Sequence, residues 1–190
     1  MQRMGFLNCI LCERTVSKLE KALPLSDTEI EAVYARHADT VYRVSFSFMK
    51  NRAEAEDIVQ ETFLKLISRR MRFQSPEHEK AWLIVTASNL CKNALKHWWR
   101  KNEDIDGLAN VTQEYDFETG ETIRAIMALP PDYKAVVYMY YYEGYSTPEI
   151  AQFTGAPQTT VRSRLYRARK LLKNMLGGEL NEPAGYSQSL

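Results

Sequence analysis

Apolar side chains recur every three or four residues along most of the chain, the spacing of one helix face. One helix is predicted from Glu29, and a second begins at Asn51 with Glu54 at capping-box spacing. A third follows the start signal Ser75-Pro76 and runs to about Trp99. No alternating run rich in valine and isoleucine is bounded by hairpin turns, so the sequence predicts an all-α fold. The predicted inward positions include Val33, His37, Val41, Val44, Phe48, Ile58, Val59, Phe63, Leu66, Ile67, Trp82, Leu83, Leu90 and Trp98.

The last third of the chain carries two further helix starts separated by glycine. The stretch "LPPDYKAVVYMYYYEGY" predicts a helix that begins at proline and ends at Gly144. Ser146 or Thr147 can cap the next helix, and Gly155 makes a turn before "APQTTVRSRLYRARKLLKNM" resumes the helical pattern. Ala151, four residues before Gly155, and Val161, six residues after it, have the spacing of a helix-turn-helix.

Charge is sorted along the chain and divides it into segments. Residues 28–101 hold 13 lysines and arginines against 9 acidic residues, and residues 121–176 hold 8 against 4, so each block carries a net charge of +4. The segment between them, 102–120, has 6 acidic residues and no basic residue. We therefore predict two small helical domains joined by a flexible acidic linker, with an N-terminal extension at 1–27 and a tail at 177–190.

Several classes of function are disfavoured. The three histidines are scattered, the motifs of common hydrolases, metalloproteases and nucleotide-binding enzymes are absent, and no cofactor or metal is expected. Cys9 and Cys12 form a lone Cys-x-x-Cys pair, a weak zinc signal without a second pair. The longest apolar run, residues 135–142, is too short to cross a bilayer, which favours a cytoplasmic protein without stable membrane insertion.

The third predicted helix has a polar face of amides and cations without an acid. Its members follow one another at helical spacing: Asn89, Lys92, Asn93, Lys96 and Arg100. Amides bind base edges, cations neutralise phosphates and exposed indoles stack on unpaired bases, so this face has the ingredients of a nucleic-acid surface. A solvated flank beside core tryptophans would explain the same pattern.

The last helix separates an apolar stripe from a basic face. The stripe contains Val161, Leu165, Ala168, Leu172 and Met175, and it anchors the helix to its domain. The other side presents Thr159, Arg162, Ser163, Tyr166, Arg167 and Lys170, with no acid between Gln158 and Met175. A merely soluble helix intersperses glutamate with its cations, so this face favours contact with DNA. A solvated basic face and an acidic protein partner remain alternatives.

Three motifs, in order, resemble those of the extracytoplasmic-function (ECF) sigma factors of the sigma-70 family. "AEAEDIVQETFLKL" resembles the polymerase-binding signature of region 2, "AWLIVTASNLCKNAL" its promoter-melting helix, and "LPPDYKAVVYMYYYEGYSTPEIAQFTGAPQTTVRSRLYRARKLL" the helix-turn-helix of region 4. The resemblance implies that Asp57, Gln60 and Glu61 bind core polymerase. It also implies contact of Asn89, Lys92, Asn93 and Lys96 with melted promoter DNA, with the preceding loop at 73–78 near an unstacked base. The upstream promoter element would bind Thr159, Thr160, Arg162, Ser163, Tyr166, Arg167 and Lys170.

The partners that the resemblance implies are the clamp and flap elements of RNA polymerase core and promoter DNA, with an anti-sigma factor as a further candidate. The linker would thread into the active-centre cleft of the polymerase. Two departures stand out: "KHWWRK" replaces a dense arginine run, and Pro157 replaces a capping serine. The alternatives are a helix-turn-helix regulator that acts without polymerase, and a protein-binding helical adaptor.

Overall fold

The computed structural model describes residues 25–69, 72–101 and 121–176, and in these residues every regular element is an α-helix. The predicted linker at 102–120, most of the N-terminal extension with Cys9 and Cys12, and the tail at 177–190 lie outside the described residues. The prediction of an all-α fold is confirmed.

Three helices form the first domain: α1 spans Asp27–Met49, α2 Arg52–Arg69 and α3 Pro76–Lys101. Each begins at a side-chain cap. The Ser26 hydroxyl accepts from the amide of Glu29 at 3.3 Å, and the Glu29 carboxylate accepts from the amide of Ser26 at 2.8 Å. Asn51 Oδ1 caps α2 at 3.1 Å and Ser75 Oγ caps α3 at 3.2 Å, as their sequence positions predicted.

Four helices follow in the second domain: α4 spans Glu121–Ala128, α5 Pro131–Tyr141, α6 Thr147–Thr154 and α7 Gln158–Leu176. Ser146 is the cap of α6, and its amide donates to the carboxylate of Glu149 at 2.8 Å. Gly155 ends α6 with φ at +67°, a left-handed conformation that glycine adopts without steric cost. The sequence therefore predicted both ends of α6, and with them the turn of the helix-turn-helix.

Each domain buries the apolar stripe that its helices share. In the first domain Val41, Leu66, Leu83 and Ile84 are fully inaccessible, and in the second the buried set is Val136, Met139, Ile150, Val161 and Leu165. Three inward predictions were wrong, because Ile67, Trp98 and Met175 are each more than 40% exposed. All three lie in the last turn of their helix, where the neighbouring helices no longer cover the stripe.

The two domains pack against each other, although the sequence predicted independent domains on a tether. Helix α5 lies against α1 and α3, and helix α6 lies against α3. At the centre of this contact the Lys134 ammonium donates to the carbonyl oxygen of Ser47 at 2.7 Å and lies 5.3 Å from the ring centre of Phe48. Lys134 is 4% exposed. Burial, assisted by the nearby charge of Lys50, lowers the pKa of the Lys134 ammonium to about 7.

The burial of Lys134 should make the free energy of unfolding depend on pH. An unfolded lysine holds its proton up to about pH 10.4, whereas Lys134 in the folded chain releases it from about pH 7. The unfolded state therefore binds more protons above pH 7, and the free energy of unfolding should rise with pH, by at most about 1.4 kcal/mol per pH unit. Urea unfolding in steps between neutral and mildly alkaline pH measures this slope, which Lys134→Met should flatten.

The pH range must end before the unfolded cysteine titrates, because other groups then act in the opposite direction. Burial raises the pKa of Cys91 from 9.0 to about 12 and the pKa values of Tyr138 and Tyr145 from 10.0 to about 12. The unfolded state releases these protons first, so the free energy of unfolding loses their contribution from about pH 9 upward. Lys173→Met, at an exposed position of α7, is the matched control and should keep the wild-type slope. Equal slopes for wild type and Lys134→Met would contradict the assignment.

Candidate nucleic-acid interface

The outward face of α2 is acidic and solvent-exposed. Asp57, Gln60 and Glu61 are all exposed on it, and Glu61 forms an ion pair with Lys65 at 3.4 Å. The opposite side of α2 buries Ile58, Val59, Phe63 and Leu66. Leu64 is 62% exposed on the outward side, seven residues after Asp57. Sequence analysis missed Leu64, although its helical spacing from Asp57 and Gln60 was a usable signal.

The polar face of α3 is divided between open and covered positions. Asn89, Asn93 and Lys96 are exposed, whereas Lys92 is half-buried, with its ammonium 3.9 Å from a carboxylate oxygen of Asp132. Burial lowers the pKa of Lys92, and the charge of Asp132 opposes that shift. A shallow groove between α3 and the start of α5 is lined by Lys92, Leu95, Lys96, Arg100, Pro131 and Asp132. The predicted residues therefore lie on one helix, and Lys92 is the one that is half-buried, whereas Arg100 is exposed like Asn89, Asn93 and Lys96.

The loop before α3 and the first turn of that helix form an aromatic cluster. The ring of Phe73 lies 5.7 Å from those of both His78 and Trp82. The His78 ring in turn stacks on Phe153 of α6 at 5.9 Å, with an interplanar angle of 20°. Burial lowers the pKa of His78, which favours its neutral form. In the loop predicted to lie near an unstacked base, His78 thus contacts the second domain, whereas Gln74 and Glu77 are exposed.

A buried polar cluster joins α1 to α3. His37 Nε2 and Arg36 Nη2 each lie 2.9 Å from Oε1 of Glu79, and both His37 and Glu79 are buried. His37 is thus a packing residue paired with an acid, as its position on the apolar face predicted. No group of three metal-ligating side chains occurs within the part of the chain that the structure describes. Among the same residues, no helix has the length and apolar character needed to span a membrane.

Helix α7 presents its predicted basic face to solvent. Exposed side chains are Thr159, Arg162, Ser163, Tyr166, Arg167 and Lys170, with Thr160 half-buried. Tyr166 is 68% exposed and adds an aromatic ring to this face. Val161, Leu165, Ala168 and Leu172 are buried on the other side. The apolar stripe therefore fixes the rotation of α7 that keeps its basic face outward.

A hydrogen bond between the two helices of the helix-turn-helix sets the start of α7. Gln158 Nε2 donates to Thr147 Oγ1 at 3.2 Å, which ties the first residue of α7 to the first residue of α6. Pro157 stands immediately before α7 and leaves its start intact, since its carbonyl accepts from the amide of Val161 at 3.1 Å. Sequence analysis did not identify Gln158, because a pairing across the turn carries no local signal.

Comparison with known proteins accounts for both domains. The family described as "Sigma-70 region 2" matches residues 33–101, and "Sigma-70, region 4" matches residues 120–172. RNA polymerase sigma factor SigV of Bacillus subtilis is 33% identical over 147 residues, covering 75% of this chain and 88% of SigV. The ECF RNA polymerase sigma-E factor of Haemophilus influenzae is 30% identical over 144 residues, covering 66% of this chain and 76% of the relative. The chain is an ECF sigma factor. It is a transcription initiation factor that directs RNA polymerase to promoters.

A solved structure agrees with the fold of this ECF sigma factor. The sigma factor RpoE from Bartonella quintana, crystallised with the anti-sigma factor NepR, aligns with a TM-score of 0.61 over 77% of this chain and 96% of RpoE, at 22% identity. The region 2 match explains the first domain, which a helix-turn-helix regulator that acts without polymerase would leave unexplained. That alternative is therefore not favoured.

Substitutions on the two sides of α7 should differ in how much they change the free energy of unfolding of the sigma factor. Leu165→Ala removes a side chain that is 1% exposed and should cost about 2–5 kcal/mol of unfolding free energy. Arg167→Ala, at an exposed position two residues later, should change it by no more than about 0.5 kcal/mol. Chemical denaturation followed by circular dichroism measures both. A large loss of stability in Arg167→Ala would show that this face packs against protein.

Proposed function

We propose that this ECF sigma factor contacts its partners through three helical faces: α2 for polymerase core, α3 for melted promoter DNA and α7 for duplex DNA. The domain boundaries that suit this division are region 2 at 28–101 and region 4 at 121–176, joined by the linker at 102–120. The observation that carries the proposal is the opposite chemistry of two exposed faces, acidic on α2 and acid-free and cationic on α7.

Core polymerase binds the exposed face of α2 in this proposal. Asp57 and Glu61 lie one helical turn apart and suit charge-assisted hydrogen bonds to a basic element of the clamp. Gln60 can donate and accept beside them, and the exposed side chain of Leu64 adds apolar area at the same place. An acidic face with one apolar centre fits a protein partner better than it fits nucleic acid.

DNA binds two faces that differ in the form of DNA that they suit. Helix α7 carries long cations beside the short hydroxyls of Thr159 and Ser163, which is the chemistry of a recognition helix in the major groove. Helix α3 carries Asn89 and Asn93 beside Lys96, and its amides suit the edges of unpaired bases. The duplex of the upstream element is therefore assigned to α7 and the melted strand to α3.

Further partners and location follow from the same assignment. Region 4 contacts the flap element while α7 reads DNA, and the linker enters the active-centre cleft. The solved RpoE neighbour is held by an anti-sigma factor, which supports a partner of that kind for this chain. The site of action is the cytoplasm, where bacterial polymerase transcribes.

Reversing the charge of the α2 face should weaken polymerase binding. The double variant Asp57→Lys/Glu61→Lys should lose about 1–3 kcal/mol of binding free energy, because two charge-assisted contacts at a partly solvated rim become repulsive. Fluorescence anisotropy of labelled sigma factor titrated with core polymerase measures this loss. Asp27→Lys/Glu31→Lys, two exposed residues one turn apart at the start of α1, makes the same change of charge elsewhere on region 2 and serves as the control. Equal affinity of wild type and the Asp57/Glu61 variant would refute the docking face.

Alanine substitutions on α7 should separate base reading from phosphate contact. Arg167→Ala should relax promoter preference at particular upstream positions by about 1–3 kcal/mol, since an arginine on a guanine edge discriminates between bases. Lys170→Ala should weaken binding to all promoters and reduce the salt dependence, as expected for a phosphate contact. Transcription with core polymerase over a promoter library measures both effects. Unchanged preference in Arg162→Ala, Ser163→Ala, Tyr166→Ala and Arg167→Ala would refute the recognition helix.

A further inference from the structure

Three exposed apolar side chains lie together where α1 meets α2. Tyr34 of α1 is 50% exposed, and Leu64 and Ile67 of α2 are 62% and 43% exposed. The ring centres of Tyr34 and Phe63 are 4.7 Å apart, Leu64 follows Phe63 directly, and Ile67 lies one helical turn further along α2. We call Tyr34, Leu64 and Ile67 the Tyr34 patch. A contiguous exposed apolar surface of this kind marks a place where another segment or molecule binds.

The proposed function uses only part of the Tyr34 patch. Leu64 lies beside Gln60 and Glu61 on the face assigned to polymerase. Tyr34 belongs to α1, and Ile67 lies in the last turn of α2. The apolar surface therefore extends beyond the polymerase face, toward the end of α2.

The chain enters the first domain next to this patch. Glu29 in the first turn of α1 pairs with Arg72 in the loop after α2 at 3.4 Å, so the start of α1 lies beside the end of α2. Residues 1–24 precede Leu25, where the described part of the chain begins. The distance along α1 from Ser26 to Tyr34 is about 12 Å. A segment that turns back at residue 24 therefore reaches all three side chains of the patch.

The last part of this extension has the sequence pattern of a short amphipathic helix. Val16, Leu19 and Leu23 are three and four residues apart, the spacing of one helix face, and Pro24 would end a helix directly after them. A helix this short is marginal in water, so its apolar side needs a surface on which to pack.

Charge favours the same pairing of segment and surface. Residues 1–24 hold 4 lysines and arginines against 2 glutamates, a net charge of +2. Asp57 and Glu61 are exposed on α2 beside Leu64. Opposite charges on two surfaces favour their encounter and suppress wrong partners.

We propose that residues 15–23 form a helix that packs on the Tyr34 patch of the same chain. The apolar side with Val16, Leu19 and Leu23 faces the patch. A helix of this length spans about 13 Å, which matches the extent of the patch along α1. The occupant of the patch is therefore the sigma factor's own N-terminal segment.

The docked segment covers Leu64 and so competes with polymerase core, a consequence that rests on the proposed function. When only the uncovered state binds core, the apparent dissociation constant equals the intrinsic constant divided by the uncovered fraction. Removing the apolar side of the segment should therefore tighten core binding without any change on α2. The N-terminal segment thus sets the affinity for polymerase from outside the polymerase face.

Hydrogen–deuterium exchange followed by mass spectrometry tests the docking in the full-length chain. The amides of residues 15–23 should exchange about tenfold more slowly than in a synthetic peptide of residues 1–24, because a docked helix exchanges only when it opens. Leu64→Glu/Ile67→Glu should abolish this protection. The control Ile123→Glu/Tyr142→Glu places two carboxylates at exposed apolar positions of the second domain and should keep it.

Leu19→Ser/Leu23→Ser tests the competition with polymerase. This variant leaves α2 unchanged and should bind core about fivefold more tightly in an anisotropy titration, because the covered fraction falls. Phe6→Ser/Leu7→Ser removes two apolar side chains from the same extension outside residues 15–23 and should bind core as wild type does.

The docking is overturned if residues 15–23 exchange as fast as the free peptide, or if Leu64→Glu/Ile67→Glu leaves their exchange unchanged. Fast exchange together with weaker core binding by Leu64→Glu would make polymerase the occupant of the patch. Protection that grows with protein concentration would make the occupant a second copy of the chain.

The competition is overturned if residues 15–23 are protected and Leu19→Ser/Leu23→Ser binds core no more tightly than wild type. Failure of the proposed function has a different signature. In that case wild type and Leu19→Ser/Leu23→Ser both fail to bind core, whatever the exchange of residues 15–23 shows.

Discussion

The arrangement of the two domains depends on a lysine side chain buried at the end of a helix. The last carbonyls of α1 have no partner within the helix, and none of the residues in its last turn is basic. The Nζ group of Lys134 in the second domain donates a hydrogen bond to the carbonyl of Ser47, which gives one of these carbonyls a partner. Burial disfavours the charged form of this lysine and lowers its pKa to about 7, and the neutral amine can still donate the hydrogen bond.

The candidate binding faces exist because each helix divides its circumference between core and solvent. In α7 the buried Val161 and Leu165 fix the rotation that turns Arg162 and Arg167 outward. A shift of one residue in packing would rotate the helix by about 100° and bury cations. The apolar stripe of α7 thus specifies the position of polar groups that it never contacts. In α2 the buried residues fix the direction of the outward acidic face in the same way.

Local signals in the sequence predicted most of the fold. Asn51, Ser75 and Gly155 could be predicted because a cap or a left-handed turn depends on residues only a few positions apart. The exposed faces of α2 and α7 could be predicted because helical spacing alone distinguishes the apolar side of a helix from its polar side. The contact between the domains was not readable, since Ser47 and Lys134 are 87 residues apart and a lysine in a helix ordinarily signals an exposed position.

Contacts between residues distant in sequence also decide which residues of α3 are covered. Lys92 lies on the same helix face as Asn89 and Asn93, and it is less exposed than they are because α5 packs beside it. Likewise, the exposure of Trp98 and Met175 depends on where the neighbouring helices end, which periodicity within one helix does not encode. Sequence reasoning therefore predicted the candidate residues, and tertiary packing decided which of them are accessible.

The stacking of His78 on Phe153 places a demand of shape on one side chain. In the folded protein the imidazole lies nearly parallel to a phenyl ring of the second domain, with an interplanar angle of 20°. Both rings are flat π-systems, so a planar side chain suits this position. An aliphatic residue could fill the same space without matching the plane of Phe153. The choice of side chain at position 78 is therefore limited by the second domain, although the residue belongs to the first.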